Sequence, residues 1–212
     1  MQFDMAALDP DRRYKILTAT VTPRPIAWIS TISEQGVVNA APYSFFNAVG
    51  QDPPTVVIGL LHKPQNALKD TAANILATGE FVVNLVSEAN AAAMNVTCMD
   101  APPEVDEIAC AGLTALPSIA VRPPRIAESP VSFECRSIAS LATGPRQTLV
   151  VGEVLHAHVA DAFVLDAERC HIDTPALHLI GRMHGSGWYA RTGDLFELRR
   201  PTYAEWLADR EK

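Results

Sequence analysis

Thr22-Pro23-Arg24-Pro25-Ile26-Ala27-Trp28-Ile29-Ser30-Thr31-Ile32-Ser33-Glu34-Gln35-Gly36-Val37-Val38-Asn39-Ala40-Ala41 decides the fold class. Each proline fixes its own φ and pushes the residue before it out of the helical region, so the chain enters this stretch extended. Residues 26–33 are rich in strand formers, Glu34-Gln35-Gly36 reads as a turn, and 37–41 returns. The pattern predicts a β-hairpin.

Pro42-Tyr43-Ser44-Phe45-Phe46-Asn47 follows as a mixed polar–aromatic loop or short element. Asp52-Pro53-Pro54 introduces a strand over 55–60 that is apolar on both faces, hence central. Asp70 is placed to cap a helix over 71–78, and Gly79 stops it. Residues 81–86 read as a strand, and Ser87 or Asn90 caps an alanine-rich helix through about Met94. The proline-rich segment 100–129 reads as a long excursion. Two further strands are expected at 131–136 and 148–156, a short helix at Thr174-Pro175, and a last strand over 185–191. Thr202 and Glu205 form a capping box for a C-terminal helix. Upstream, Asp9-Pro10-Asp11-Arg12-Arg13 leads into a short turn or helix. Several short strands with intermittent helices favour a mainly β barrel over a doubly wound sheet, and residues 1–212 are expected to form a single domain.

The 212 residues include 17 Lys+Arg and 24 Asp+Glu, a net charge of −7, with 48% hydrophobic and 19% charged residues. This is an ordinary globular composition with material for a substantial core. The acidic balance, pI ≈ 5.3, argues against nucleic acid or an anionic membrane as partner. No stretch approaches the roughly 18 uninterrupted apolar residues of a membrane span. The start, Met1-Gln2-Phe3-Asp4-Met5, lacks the pattern of a secretory signal. Cys98, Cys110, Cys135 and Cys170 are widely spaced and read as reduced thiols, so a cytoplasmic protein is expected. GxGxxG, GxxxxGK[ST] and GxSxG do not occur.

Four segments can carry chemistry, each with a plainer reading beside it. Ser30, Thr31 and Ser33 offer hydroxyls near a strand end, for a ligand or simply as strand fillers. Lys69-Asp70-Thr71 opens a helix, where free N–H groups and the helix dipole favour a phosphate; otherwise it is a plain cap with a solvated lysine. Asn39 to Asn47, with Ala41, Pro42, Tyr43 and Ser44, lets a flat ring approach the backbone, or closes a barrel. Gly181-Arg182-Met183-His184-Gly185 with Trp188, Tyr189 and Arg191 could meet an anion, unless its arginines pair with surface carboxylates. His156 and His158 share a strand face that could suit a metal, yet no carboxylate or cysteine stands in ligand spacing. Ordinary barrel histidines, and no metal, are expected.

In combination, these segments resemble the flavin-reductase-like, FMN-binding split-barrel family. The resemblance rests on Thr22–Thr31, Asn39–Phe46, Asp52-Pro53-Pro54, Lys69-Asp70-Thr71 with Asn74, Gly79–Leu85, Gly152-Glu153-Val154, Arg182–Gly185 and Tyr189-Ala190-Arg191. It implies a six-stranded antiparallel Greek-key split β-barrel with short flanking helices, and a homodimer with FMN at the subunit interface. It further implies that Ser30, Thr31 and Ser33 meet the ribityl chain or phosphate, and that Asn39 to Ser44 lie against the isoalloxazine. By the same resemblance Lys69 and Thr71 hold the phosphate, helped by Arg182 or Arg191. Trp28 and Asn47 complete the expected cofactor-binding set. The sequence departs from the family at His184, where glycine is expected. No catalytic dyad is assigned, and His184 alone is put forward near the ring, against a packing or solvent-facing role.

The function implied is transfer of a hydride from NAD(P)H to FMN, with reduced flavin passing to a partner monooxygenase. A tightly FMN-bound electron carrier of flavoredoxin type, or an FMN enzyme acting on a small organic substrate, needs the same cradle.

Overall fold

The computed structural model describes residues 1–64 and 67–210, so 65–66 and the last two residues of the expected 1–212 domain lie outside it. The predicted hairpin is present as β1 (Ala27–Ile32) and β2 (Val38–Tyr43), antiparallel in the register Ser30↔Ala40 and Thr31↔Asn39. Gly36 has φ 88° in the turn, a conformation that glycine adopts without a steric penalty. The chain continues through β3 (Phe46–Gln51), β4 (Pro54–Leu61), α2 (Asp70–Thr78) and β5 (Glu80–Leu85), preceded by α1 (Pro10–Thr20). A 3₁₀ turn (Glu88–Asn90), α3 (Ala91–Val96), α4 (Glu107–Cys110), β6 (Ala115–Leu116) and β7 (Arg125–Ile126) fill the excursion. Then come β8 (Val131–Gly144), β9 (Gln147–Val159), β10 (Val164–Asp166) and β11 (His171–Ile172). β12 (Ile180–Arg182), β13 (Tyr189–Arg191) and α5 (Tyr203–Arg210) complete the chain.

The main sheet is antiparallel throughout, in the order β2-β1-β5-β8-β9-β4-β3. Its two edge strands, β2 and β3, are joined by only Ser44 and Phe45, which brings their adjoining ends together although no ladder pairs the two edges. Gly59 N–H in β4 donates to Phe45 C=O at 2.7 Å across that junction. The strand count is seven, which corrects the expected six. The added strand is β3, read from sequence as part of a loop. β3 lies mostly exposed at an edge and shows no hydrophobic alternation.

β1 explains the apolar run of the hairpin. Ala27 and Ile29 point into one core with Val56, Ile58, Leu60, Phe81, Val83 and Val150, and α2 adds Ala72 and Ile75. Ile26 and Trp28 point into a second core with Ala40, Met94, Ile108 and Ile126. Successive strand residues face opposite sides, so burying both faces requires a continuous apolar run. α2 ends as its sequence implies: Gly79 takes φ 72° and its N–H closes on Ile75 C=O at 2.8 Å.

Candidate functional site

β2 is an edge strand, and its outer side is open. Ala40 N–H points away from β1, donating to Glu107 Oε2 at 3.1 Å. Pro42 lies two residues on, on the same outward side, where its missing N–H leaves no gap in the ladder. The strand therefore presents a wall of small residues, Ala41 and Pro42, ending at Tyr43.

That wall borders a cavity of about 500 Å³, within the roughly 300–1,000 Å³ usual for small-molecule sites. Lys69, Asp70 and Thr71 at the start of α2 border it on one side, and Arg182, Ser186 and Tyr189 on another. Cys98 and its neighbours after α3 close a third side, together with Glu107. Of its three cations, Lys63 faces Asp70 Oδ2 at 3.8 Å. The Arg182 guanidinium donates to Gly185 C=O at 2.9 Å and lies 4.8 Å from the Tyr189 ring centre. The Lys69 ammonium has no ion-pair or hydrogen-bond partner among the described residues, and Lys69 stands at the N-cap of α2 without a side-chain cap. A free cation beside uncapped first-turn N–H groups is a suitable seat for a phosphate.

A buried network fixes the wall. Asn39 Oδ1 accepts from Thr31 Oγ1 at 3.1 Å and from Thr71 Oγ1 at 2.8 Å. Its Nδ2 donates to Glu107 Oε2 at 3.1 Å, and Asn74 Nδ2 donates to Thr31 Oγ1 at 3.0 Å. The Tyr43 phenol is pushed up to about 12, chiefly by burial; the Thr71 hydroxyl pulls it part of the way back, and Asp70 and Glu107 push it further. It is therefore protonated at neutral pH, an O–H donor on the cavity wall.

Asn39, Ala41, Pro42, Tyr43, Lys69, Thr71 and Arg182 thus come together around one cavity. Ser44 stands beside it, lining a smaller space with Pro42, Tyr43 and Arg182, and Arg24 Nε donates to its hydroxyl at 3.3 Å. The structure does not bring the other expected residues to this cavity. Trp28 and Ser30 are wholly buried: Trp28 Nε1 donates to Thr97 Oγ1, while Ser30 Oγ donates to Pro124 C=O and accepts from Asn84 Nδ2. Thr31 is equally buried and meets the cavity only through Asn39. Ser33 accepts from Val37 N–H inside the hairpin turn. Asn47 is exposed on β3, accepting from Ala48 N–H. Arg191 donates to the Glu88 carboxylate at the surface. His184 is exposed and stacks on Trp188, with ring centres 6.2 Å apart. His158 Nε2 lies 2.6 Å from Glu134 Oε1, a partner that the spacing around His156 and His158 did not disclose.

Sequence reading missed Glu107 and Arg24. Arg24 is 5% exposed, and its Nη1 donates to Thr18 and Val21 C=O, which caps the end of α1. Its Nη2 donates to Met183 C=O at 2.8 Å, tying α1 to the turn that carries Arg182. The Thr-Pro-Arg-Pro context placed Arg24 at a strand entrance, and nothing local marks it as buried.

The flavin reductase like domain model matches residues 19–184. A protein of Deinococcus radiodurans is 46% identical over 208 residues, covering 96% of this chain and 91% of the relative. Among solved structures, nitrilotriacetate monooxygenase component B from Bacillus cereus is 33% identical, covers 93% of this chain and 98% of its own, and superposes with a TM-score of 0.87. The 2-nitrobenzoate 2-nitroreductase NbaA of Pseudomonas fluorescens is 32% identical, with 96% and 98% covered and a TM-score of 0.86. A Shewanella frigidimarina protein with a split barrel domain shares the fold at 21% identity, covering 95% of this chain and 100% of its own, with a TM-score of 0.79. The chain belongs to the flavin reductase like domain family and is, at that level, a flavin-related oxidoreductase.

Proposed function

We propose that the protein is a cytoplasmic NAD(P)H:flavin oxidoreductase, one functional domain per chain, that binds FMN in this cavity and works as a homodimer. The observation that carries this reading is Lys69, a cation without a side-chain partner among the described residues, lining the cavity at the uncapped start of α2. The residues present fit FMN: Lys69 and the first turn of α2 would hold the phosphate, Ala41 to Tyr43 would lie against the flat ring, and Arg182 would supply a second positive charge. FMN, when bound, supplies hydride acceptance and onward electron transfer.

The chain's own residues bind, orient and keep water out. Asn39, Thr31, Thr71 and Glu107 hold β2 rigid through the buried network. Tyr43 and Tyr189 flank the space with aromatic surface, and the neutral Tyr43 phenol holds a proton at the wall. No further acid–base group is required of the protein. His184 is not a lining residue, and a packing role against Trp188 is the reading we adopt for it. Exposed Val49 on β3 and exposed Ile138 and Leu141 on β8 support dimerisation. The monooxygenase component B neighbour supports a partner oxygenase as the consumer of reduced flavin.

The nitroreductase neighbour favours a second reading, in which the flavin stays bound and an organic substrate is reduced in place. Measuring NAD(P)H oxidation with added FMN separates the two. Turnover that rises with free FMN supports the reductase; consumption of NAD(P)H only when a nitroaromatic is present supports the second reading. A flavin-loaded protein that oxidises neither NADH nor NADPH under either condition overturns both.

A further inference from the structure

Residues 193–210 form a C-terminal arm. They follow β13 and lie beyond the segment that matches the family model. Among the arm's described side chains, no hydrogen bond or ion pair reaches the rest of the described residues; the side-chain bonds are internal, between Thr202 and Glu205 and between Arg199 and Glu205. Leu195, Phe196 and Leu198 are 67%, 85% and 82% exposed. Tyr203, Trp206 and Leu207 follow on one face of α5 and are exposed as well. Scattered surface apolar residues need no explanation, but six within thirteen positions mark a contact surface. α5 has only eight residues, and helices shorter than about 12–15 residues are marginal in water without packing.

A groove on the body has the matching character. It holds about 580 Å³ between α1, the end of β4 and the β8–β9 turn. Tyr14, Leu17, Phe45 and Leu61 give it an apolar floor, and its rim carries two arginines, Arg13 and Arg146, against one carboxylate, Asp11. Arg13 Nη2 donates to Ala6 C=O at 2.9 Å, and neither Arg13 nor Arg146 has a carboxylate partner among the described residues. In the arm, the apolar pair Leu195-Phe196 is bracketed by Asp194 and Glu197. An apolar floor whose rim has a net positive charge meets an apolar pair with acidic flanks.

We propose that the C-terminal arm of one chain lies in this groove of a second copy, with Leu195 and Phe196 on the floor and Asp194 and Glu197 facing Arg13 and Arg146. This rests on the homodimer reading above. Ten extended residues, 193–202, span at most about 35 Å, enough to cross a subunit boundary. Two-fold symmetry makes the exchange reciprocal, so both arms are covered at once. The groove also runs toward the flavin cavity. A smaller space of about 230 Å³ shares Tyr14, Phe45 and Leu61 with the groove, and Pro42, Tyr43 and Lys69 with the cavity. The partner's arm thereby walls the outer end of each site.

Photo-crosslinking of the full chain carrying Phe196→p-benzoylphenylalanine tests this, read beside its mass in solution. The expected result is a dimer whose irradiation gives a covalent product of about twice 22.9 kDa, mapping to α1 or the β8–β9 turn. Asp194→Lys with Glu197→Lys should lower the yield at least tenfold, and adding Arg13→Glu with Arg146→Glu should restore it. A dimer that crosslinks only within one chain, elsewhere on the partner, or not at all overturns the arm exchange and leaves the homodimer standing. A yield indifferent to the charge swaps also overturns it. A monomeric mass overturns the homodimer reading itself, and the exchange with it.

Discussion

Asn39 Nδ2 donates to Glu107 Oε2 at 3.1 Å, and through that bond the edge strand walling the cavity is held by a helix of only four residues. The same carboxylate oxygen accepts from Ala40 N–H, and Glu107 is 4% exposed, so both donors depend on a largely buried group. Glu107→Ala would leave two buried donors unsatisfied, at about 1–3 kcal/mol each. We expect a loss of about 2–6 kcal/mol in urea unfolding, and a smaller loss for Glu107→Gln, which keeps an acceptor oxygen. An alanine variant as stable as the parent would show that the network does not hold β2.

Gly152 and Phe81 make a second dependence. A Cβ on Gly152 would come within 2.4 Å of the Phe81 ring, which is fully buried, whereas a Cβ on Gly144 meets nothing within 4 Å. Overpacking of a tight core costs about 1–3 kcal/mol. Gly152→Ala should therefore lower the urea midpoint while Gly144→Ala leaves it near the parent value, and adding Phe81→Leu should return part of the loss. Equal midpoints for the two alanine variants would contradict this packing.

Glu134 contributes to stability on the acid side. Burial alone would raise its carboxyl, but N–H bonds from Ala120 and Ile119 and the contact with His158 outweigh that and hold it below the ordinary value. With the folded value depressed, its stabilisation is present above the unfolded carboxylate value, about 4.3, and is lost as pH falls through the folded one. Glu134→Gln should be less stable than the parent at pH 7, with the gap narrowing in that acid window. A gap constant from neutral to acid pH would assign the carboxylate no such role.

The local signals in the sequence carried much of this fold. The hairpin, the helix ending at Gly79, β4, β5 and the inner halves of β8 and β9 all bury apolar residues at short spacing, and Thr202 with Glu205 does form its capping box. What escaped reading lies where burial does not follow local pattern. β3 is an exposed edge, and the outer half of β8, Ser137 to Gly144, is mostly exposed, so neither shows alternation. Ser30 and Thr31 looked like ligand hydroxyls because hydroxyls on a strand imply an open face. β1 is covered on both sides, however: Pro124, the partner of Ser30, arrives from the long excursion, and Asn39, the partner of Thr31, sits directly across the hairpin. Glu107 came from an excursion that had no period to read.

The central claim is that Lys69 and the start of α2 seat the phosphate of FMN. Titrating flavin fluorescence with FMN and with riboflavin, for the parent and for Lys69→Ala, tests it most directly, because only FMN carries the phosphate. Removing a charge-assisted contact costs roughly 1.5–3 kcal/mol, or about 10- to 150-fold in affinity. The account predicts that loss for FMN and almost none for riboflavin, with one FMN bound per parent chain. Equal losses for both flavins, or an FMN affinity that Lys69→Ala leaves unchanged, would contradict it.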